Sequence, residues 1–151
     1  MRNSKSASLS TEEAYELIEI LKKKVEEEIY YFPNNSGRFE FEVISDDEKS
    51  FIVNVQRKGL NNGNCTYLGR LLNGTILMRL DVGKNIKHYD KKTNTTILGS
   101  HLHIYSKEYG TEAIPFDIDN KDLFDICFDF FEKFHIIDPP TIAKVNLLDN
   151  F

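Results

Sequence analysis

The sequence predicts an α+β fold: a twisted antiparallel sheet of five or six strands, with an N-terminal and a C-terminal helix packed on one face. Three observations lead to it. Leu17, Ile18, Leu21, Val25 and Ile29 recur at helical spacing behind a capping sequence. Between residues 37 and 116 the apolar period falls to two, in short runs separated by turn residues. From residue 123 to 134 the chain is apolar on most sides, as a covered helix requires. A length of 151 residues suits one domain, expected over 10–151 behind a polar, unpatterned arm (1–9) expected to be disordered.

The elements follow in order. Ser10 and Glu13 have the spacing of a capping box, so the first helix is expected to start at Ser10 and run to about Tyr31, where Phe32-Pro33-Asn34-Asn35 stops it. Its LKKKVEEE stretch reads as a solvated face laced with Lys–Glu pairs. Phe39, Phe41 and Val43 alternate with charged residues, as do Phe51, Val53 and Val55 with Ile52, Asn54 and Gln56, which predicts a hairpin across the polar turn 45–50. Cys65 to Leu72 and Thr75 to Val82 form the next pair. Asn73-Gly74 between them signals a two-residue turn with positive φ at both positions. Gly83 to Ser100 reads as a long polar connection, His101 to Tyr105 as a short strand, and Ala113-Ile114-Pro115-Phe116 as an edge strand. Asp119 or Asn120 can cap the second helix; Asp138-Pro139-Pro140 ends it, and an extended tail is expected to Phe151.

Composition excludes several function classes. Lys and Arg number 19 against 24 Asp and Glu, a net charge of −5 that argues against a general nucleic-acid coat or an anionic-membrane binder. Two cysteines, Cys65 and Cys127, are too few for a disulfide framework and read as reduced thiols. No apolar run has the length of a membrane span, and the start MRNSKSASLSTEE lacks the apolar core of a secretory signal, so a cytoplasmic location is expected. Nucleotide-cradling glycine loops are absent, and no cofactor is expected.

Chemistry concentrates between Arg79 and Tyr105. Ile76, Met78, Leu80 and Val82 share one strand face, which leaves Arg79 and Asp81 on the other. Leu102 and Ile104 likewise turn inward and leave His101, His103 and Tyr105 outward. If the two strands are neighbours, these five make one patch, over which His88 in the connection can fold. Histidines near neutral pKa can take a proton from a ribose 2′-hydroxyl and give one to the leaving oxygen, while Arg79 stabilises charge on the phosphorane and Asp81 orients its neighbours. That scheme needs no metal. An exposed sheet face with polar residues turned outward is the plain alternative. Lys84, Lys87, Lys91 and Lys92 read either as a solvated loop or as a phosphate-steering clamp beside the patch. A metal reading competes through His101-x-His103 with His88 or Asp81. It ranks below acid–base chemistry: the likeness of His101-x-His103 and Glu108 to the first cupin motif is poor, with Thr95 where glycine belongs and only His135 downstream.

Arg79-x-Asp81, Gly83, His88, Gly99, His101-x-His103-x-Tyr105 and Ala113-Ile114-Pro115 carry a resemblance to an uncharacterised family of small bacterial and phage-associated proteins of unknown function. It covers about the last two-thirds of the chain. The same order of residues is more distantly similar to the TumE-type toxin components of toxin–antitoxin modules, and that resemblance implies a ribonuclease. The functional expectation is therefore a small, metal-independent endoribonuclease of the toxin or host–phage conflict class. Its partners would be RNA or a protein such as an antitoxin. The alternative from another class is an acidic inhibitor or adaptor that occupies the basic site of a protein partner such as a defence nuclease.

Overall fold

A computed structural model describes residues 8–59 and 63–145. The fold is built from strands: 50% of the described residues are in strands and 15% in helices. Helix α1 (Thr11–Glu19) is followed by β1 (Lys22–Lys24), β2 (Ile29–Phe32), β3 (Gly37–Ser45), β4 (Ser50–Lys58), β5 (Asn64–Leu71) and β6 (Ile76–Val82). Then come β7 (Lys87–Asp90), β8 (Thr95–Leu98), β9 (His101–Ser106), β10 (Gly110–Pro115), α2 (Leu123–Lys133), β11 (Ile136–Asp138) and β12 (Thr141–Lys144). One eight-stranded sheet has the order β10-β9-β6-β5-β4-β3-β1-β11, and β12-β2 and β7-β8 form two-stranded ribbons. This corrects the expected five- or six-stranded α+β sheet under two helices. The extra strands are three or four residues long, too short to show a period of two, and two of the pairings, β1 with β11 and β2 with β12, are parallel and non-local.

The largest correction falls on the first helix. Ser10 caps it as expected, its Oγ accepting the Glu13 N–H while the Glu13 carboxylate accepts the Ser10 N–H, both at 3.0 Å. The helix nevertheless ends at Glu19, and the three lysines of the LKKK segment become β1, paired with both β3 and β11. Leu21, Val25 and Ile29, which seemed to continue the apolar stripe, are exposed, whereas Lys22 is 1% exposed. Its Nζ donates to the carbonyls of Ile18, Ile20 and Phe134, each at 2.8 Å, and lies over the Phe134 and Phe51 rings. Burial alone pulls the Lys22 pKa down to about 7. Three carbonyl acceptors and two ring faces, however, match an ammonium with three protons better than an amine with two. Lys22 thus ties the ends of both helices to the sheet. His135, at positive φ after α2, adds a second tie through Nδ1 to the Ile18 carbonyl at 3.0 Å.

Alternation holds along the central strands. Phe39, Phe41, Val43, Phe51, Val53, Val55, Cys65 and Tyr67 are buried on the face that α2 covers. Phe131 meets Phe41 edge-on, Phe134 meets Phe51 edge-on, and Phe130 stacks on Tyr67, whose hydroxyl donates to the Leu123 carbonyl. The β2–β12 ribbon closes the rest of this face with Tyr30 and Phe32 against Phe39. Asp122, not Asp119 or Asn120, caps α2. The latter two sit at positive φ, where an N-cap does not form. In the β5–β6 turn only Gly74 of the Asn73-Gly74 pair has positive φ, at 99°; Asn73 Oδ1 instead accepts the Thr75 N–H. The polar connection 83–100 is itself the β7–β8 hairpin. Of the arm expected over 1–9, residues 1–7 lie outside the described residues, while Leu9 packs on the core. The tail is a strand at 141–144, and 146–151 lie outside the described residues.

Two substitutions test this packing. A Cβ on Gly69 would stand 2.5 Å from Phe134 ring carbons, and that ring is fully buried. Gly69→Ala is expected to lower the unfolding free energy by about 1–3 kcal/mol in urea titration, and an unchanged midpoint would refute the contact. Lys22→Met keeps the apolar stem and orphans three carbonyls; a loss of about 2–4 kcal/mol is expected. Equal or greater stability would mean the ammonium is dispensable.

Candidate functional site

The site is assembled by one strand pairing. In the β6–β9 ladder Arg79 is opposite His103 and Asp81 opposite His101, so all four project from the face that α2 does not cover. The β7–β8 hairpin folds back and sets His88 against both histidines, with ring centroids 5.4 Å from His101 and 4.4 Å from His103; His101 and His103 are 4.7 Å apart. The hairpin is held at its base by the Gly99 N–H on the Ile86 carbonyl (2.8 Å). It is held at its turn by Asp90, a buried carboxylate that accepts from Thr93 and from the Ala113 N–H of β10.

Asp81 is the hub. Its Oδ2 lies 3.1 Å from Arg79 Nη2, 3.1 Å from His103 Nε2 and 3.4 Å from His101 Nε2, while Oδ1 accepts the Thr66 hydroxyl at 3.2 Å. Burial by itself would raise its pKa, but the His103 hydrogen bond and the Arg79 and His103 charges outweigh burial and hold it down to about 2. His101 Nδ1 donates to the Gly99 carbonyl at 2.8 Å, which turns Nε2 inward. His103 Nδ1 lies 3.4 Å from Thr111 Oγ1, and its Nε2 is 3.1 Å from both Arg79 Nη2 and Asp81 Oδ2. Protonated, that nitrogen donates to Asp81; unprotonated, it accepts from Arg79. His101 and His103 are 3% and 2% exposed, whereas His88 is half-buried. Burial, then the charges of His103 and His101, lowers the His88 pKa.

These groups line a cleft of about 530 Å³ together with Asn54, Gln56, Lys58, Asn64, Thr66 and Lys87. Of the expected residues, the cleft gathers Arg79, Asp81, His88, His101 and His103. Tyr105 is elsewhere: its ring packs on the core and its hydroxyl donates to the Leu9 carbonyl at 2.6 Å. Among the four lysines only Lys87 lines the cleft. Lys84 lines a separate cavity, Lys92 pairs with Glu112 at 2.9 Å, and Lys91 stands exposed. Sequence reasoning missed Asn54, Gln56, Lys58 and Thr66. Their signal was available, since they occupy outward positions of β4 and β5 and Thr66 pairs with Asp81 across the ladder. Three imidazoles whose ligand nitrogens lie within 4.8 Å of one another can hold a metal ion as well as move protons.

The depressed Asp81 pKa fixes the sign of a pH effect. The group contributes stability that is present above its unfolded pKa near 4 and lost as pH falls through about 2. In chelator, the stability gap between the parent chain and Asp81→Asn is expected to shrink by about 2 kcal/mol between pH 5 and pH 2. A pH-independent gap in denaturant titrations would show that Asp81 is not held ionised by its neighbours.

No helix among the described residues is long and apolar enough to cross a membrane. No curated protein and no solved structure matches the chain. A family model does, over residues 9–136, a span that takes in α1, every residue of the histidine cleft, and α2. The chain therefore belongs to DUF6978, a family of unknown function.

Proposed function

We propose that the chain is a small cytoplasmic endoribonuclease that cleaves RNA in the histidine cleft, in the manner of a toxin or host–phage conflict protein. The observation that carries this reading is the convergence of Arg79, Asp81 and three imidazoles in one polar cleft that Lys58 and Lys87 also line. Arg79 stands where it can stabilise negative charge on a phosphorane, and Asp81 fixes its guanidinium through Oδ2, at 3.2 Å from Nε and 3.1 Å from Nη2. The two lysines draw a phosphate toward it. One imidazole takes the proton of the ribose 2′-hydroxyl as that oxygen attacks the adjacent phosphorus, and a protonated imidazole gives one to the departing 5′-oxygen, leaving a 2′,3′-cyclic phosphate and a free 5′-hydroxyl. The distant resemblance to TumE-type toxins points to the same substrate. A net charge of −5 is compatible with this, because the positive groups are local to the cleft.

The test is cleavage of end-labelled single-stranded RNA without chelator. Products ending in a 2′,3′-cyclic phosphate are expected, with no cut in the all-deoxy analogue. Arg79→Ala is expected to slow the reaction by about a hundredfold or more while the fold is retained by circular dichroism. An inert parent chain, or an Arg79→Ala variant as fast as the parent, defeats the reading. Tight binding of a nuclease protein by an RNA-inert chain would instead favour the acidic-inhibitor alternative.

A further inference from the structure

Two of the three imidazoles pose a problem for direct chemistry on a polymer. His101 and His103 line the cleft yet are only 3% and 2% exposed, so little of either ring is presented to a polymer. Yet both rings are aimed. The Nδ1 atoms face fixed oxygens, the Gly99 carbonyl at 2.8 Å and the Thr111 hydroxyl at 3.4 Å, and the Nε2 atoms face inward. An outer hydrogen bond on one nitrogen that frees the other is the arrangement by which proteins orient histidine ligands to metals. His88 completes the set from the hairpin. Its ring stacks on His101 and meets His103 edge-on, and its ligand nitrogen lies within 4.8 Å of those of the other two.

We propose that His88, His101 and His103 form a transition-metal site that takes one divalent ion of the zinc or cobalt class, with its open position toward the cleft. The donor set fits that class: neutral imidazoles suit borderline ions, and three of them with a free position describe a reactive rather than a closed centre. A tetrahedral ion with bonds of 2.0–2.1 Å holds its donors about 3.3 Å apart. The three imidazole nitrogens stand within 4.8 Å of one another, so they draw closer as the ion binds, and Asp81 Oδ2, 3.1 and 3.4 Å from the Nε2 atoms of His103 and His101, sets a negative charge beside them. Rotation of His88, the half-buried member, brings in the third donor. Arg79 keeps its pair with Asp81 and gives up its contact with His103. The ion does for the buried pair what the rings cannot do alone, carrying their influence out to a ligand in the cleft. The metal site stands on geometry alone. Its role as Lewis acid toward the 2′-hydroxyl rests on the ribonuclease reading, and there it replaces the metal-independent scheme expected from the sequence.

The experiment uses the untagged full chain, stripped with chelator, dialysed, and titrated with Co²⁺ by visible absorption and with Zn²⁺ by calorimetry. One ion per chain is expected, with cobalt bands of a nitrogen-rich, low-coordinate site. His88→Ala should weaken binding at least tenfold, and Thr111→Val, which leaves all three ligands in place, by roughly tenfold. Lys91→Ala, at an exposed turn residue that does not line the cleft, should change nothing. No saturable binding, or binding unaffected by both His88→Ala and Thr111→Val, overturns the site. A chain that binds the ion and cuts no RNA supports the site and defeats the ribonuclease reading. A chain that binds no ion and cleaves RNA at full rate in chelator does the reverse.

Discussion

The register of β6 against β9 is the constraint on which both the core and the cleft depend. Leu80 faces Leu102 and Met78 faces Ile104 on one side of the ladder; Asp81 faces His101 and Arg79 faces His103 on the other. A slip of one residue would carry the apolar pairs to the cleft and drive an arginine, an aspartate and two histidines under the aromatic layer. The packing of Leu80 and Leu102 therefore holds the polar constellation in place from behind. This coupling explains how charged and titratable groups can be so deeply set. Buried ionisable groups are costly unless paired, and here each inner nitrogen has a carboxylate, a carbonyl, a hydroxyl or a guanidinium in reach.

A second buried cation organises the opposite end. Where the helical pattern ran on for about three more turns, Lys22 instead opens a three-residue strand, and its ammonium satisfies the carbonyls of Ile18, Ile20 and Phe134. The carbonyls at a helix C-terminus lack intrahelical partners. In α1 one of them is met by Lys22 and His135 together, so the helix can stop at nine residues without leaving its end unsatisfied. The same lysine sits between the Phe51 and Phe134 rings and joins the aromatic layer to the polar network that ends both helices.

What was legible in the sequence follows from these facts. The strands β3 to β6 and β9 could be read because their partners are neighbours and their faces differ in polarity, and the same alternation revealed Arg79, Asp81, His101 and His103. Helical spacing misled at Leu21, Val25 and Ile29. Apolar residues at the right intervals carry no information about whether a non-local strand, here β11, will claim the backbone, and a KKK run gives no hint that its first lysine is buried. Tyr105 followed the outward pattern along the strand, but its long side chain ends at the Leu9 carbonyl, a contact 96 residues away in sequence. The lysines failed as a group because the connection that carries them is a hairpin. Its fold sends Lys87 to the cleft and Lys92 to Glu112, a separation that composition cannot express.

That hairpin also answers a problem of the sheet itself. Strand β10 is an edge, and an edge with free N–H groups invites pairing with another chain. Pro115 removes one donor, the Phe116 N–H goes to the Ser100 carbonyl, and the Ala113 N–H is taken by Asp90 from the hairpin. Asp90 lies two residues beyond His88 in a two-residue strand period, so the carboxylate that blocks the edge and the imidazole that closes the cleft leave the hairpin on the same side. Capping the edge therefore fixes where His88 stands. A loop of the same length without an inward acid would leave the edge open and the third imidazole unplaced, which is why the segment with the weakest secondary-structure signal holds the group that completes the site.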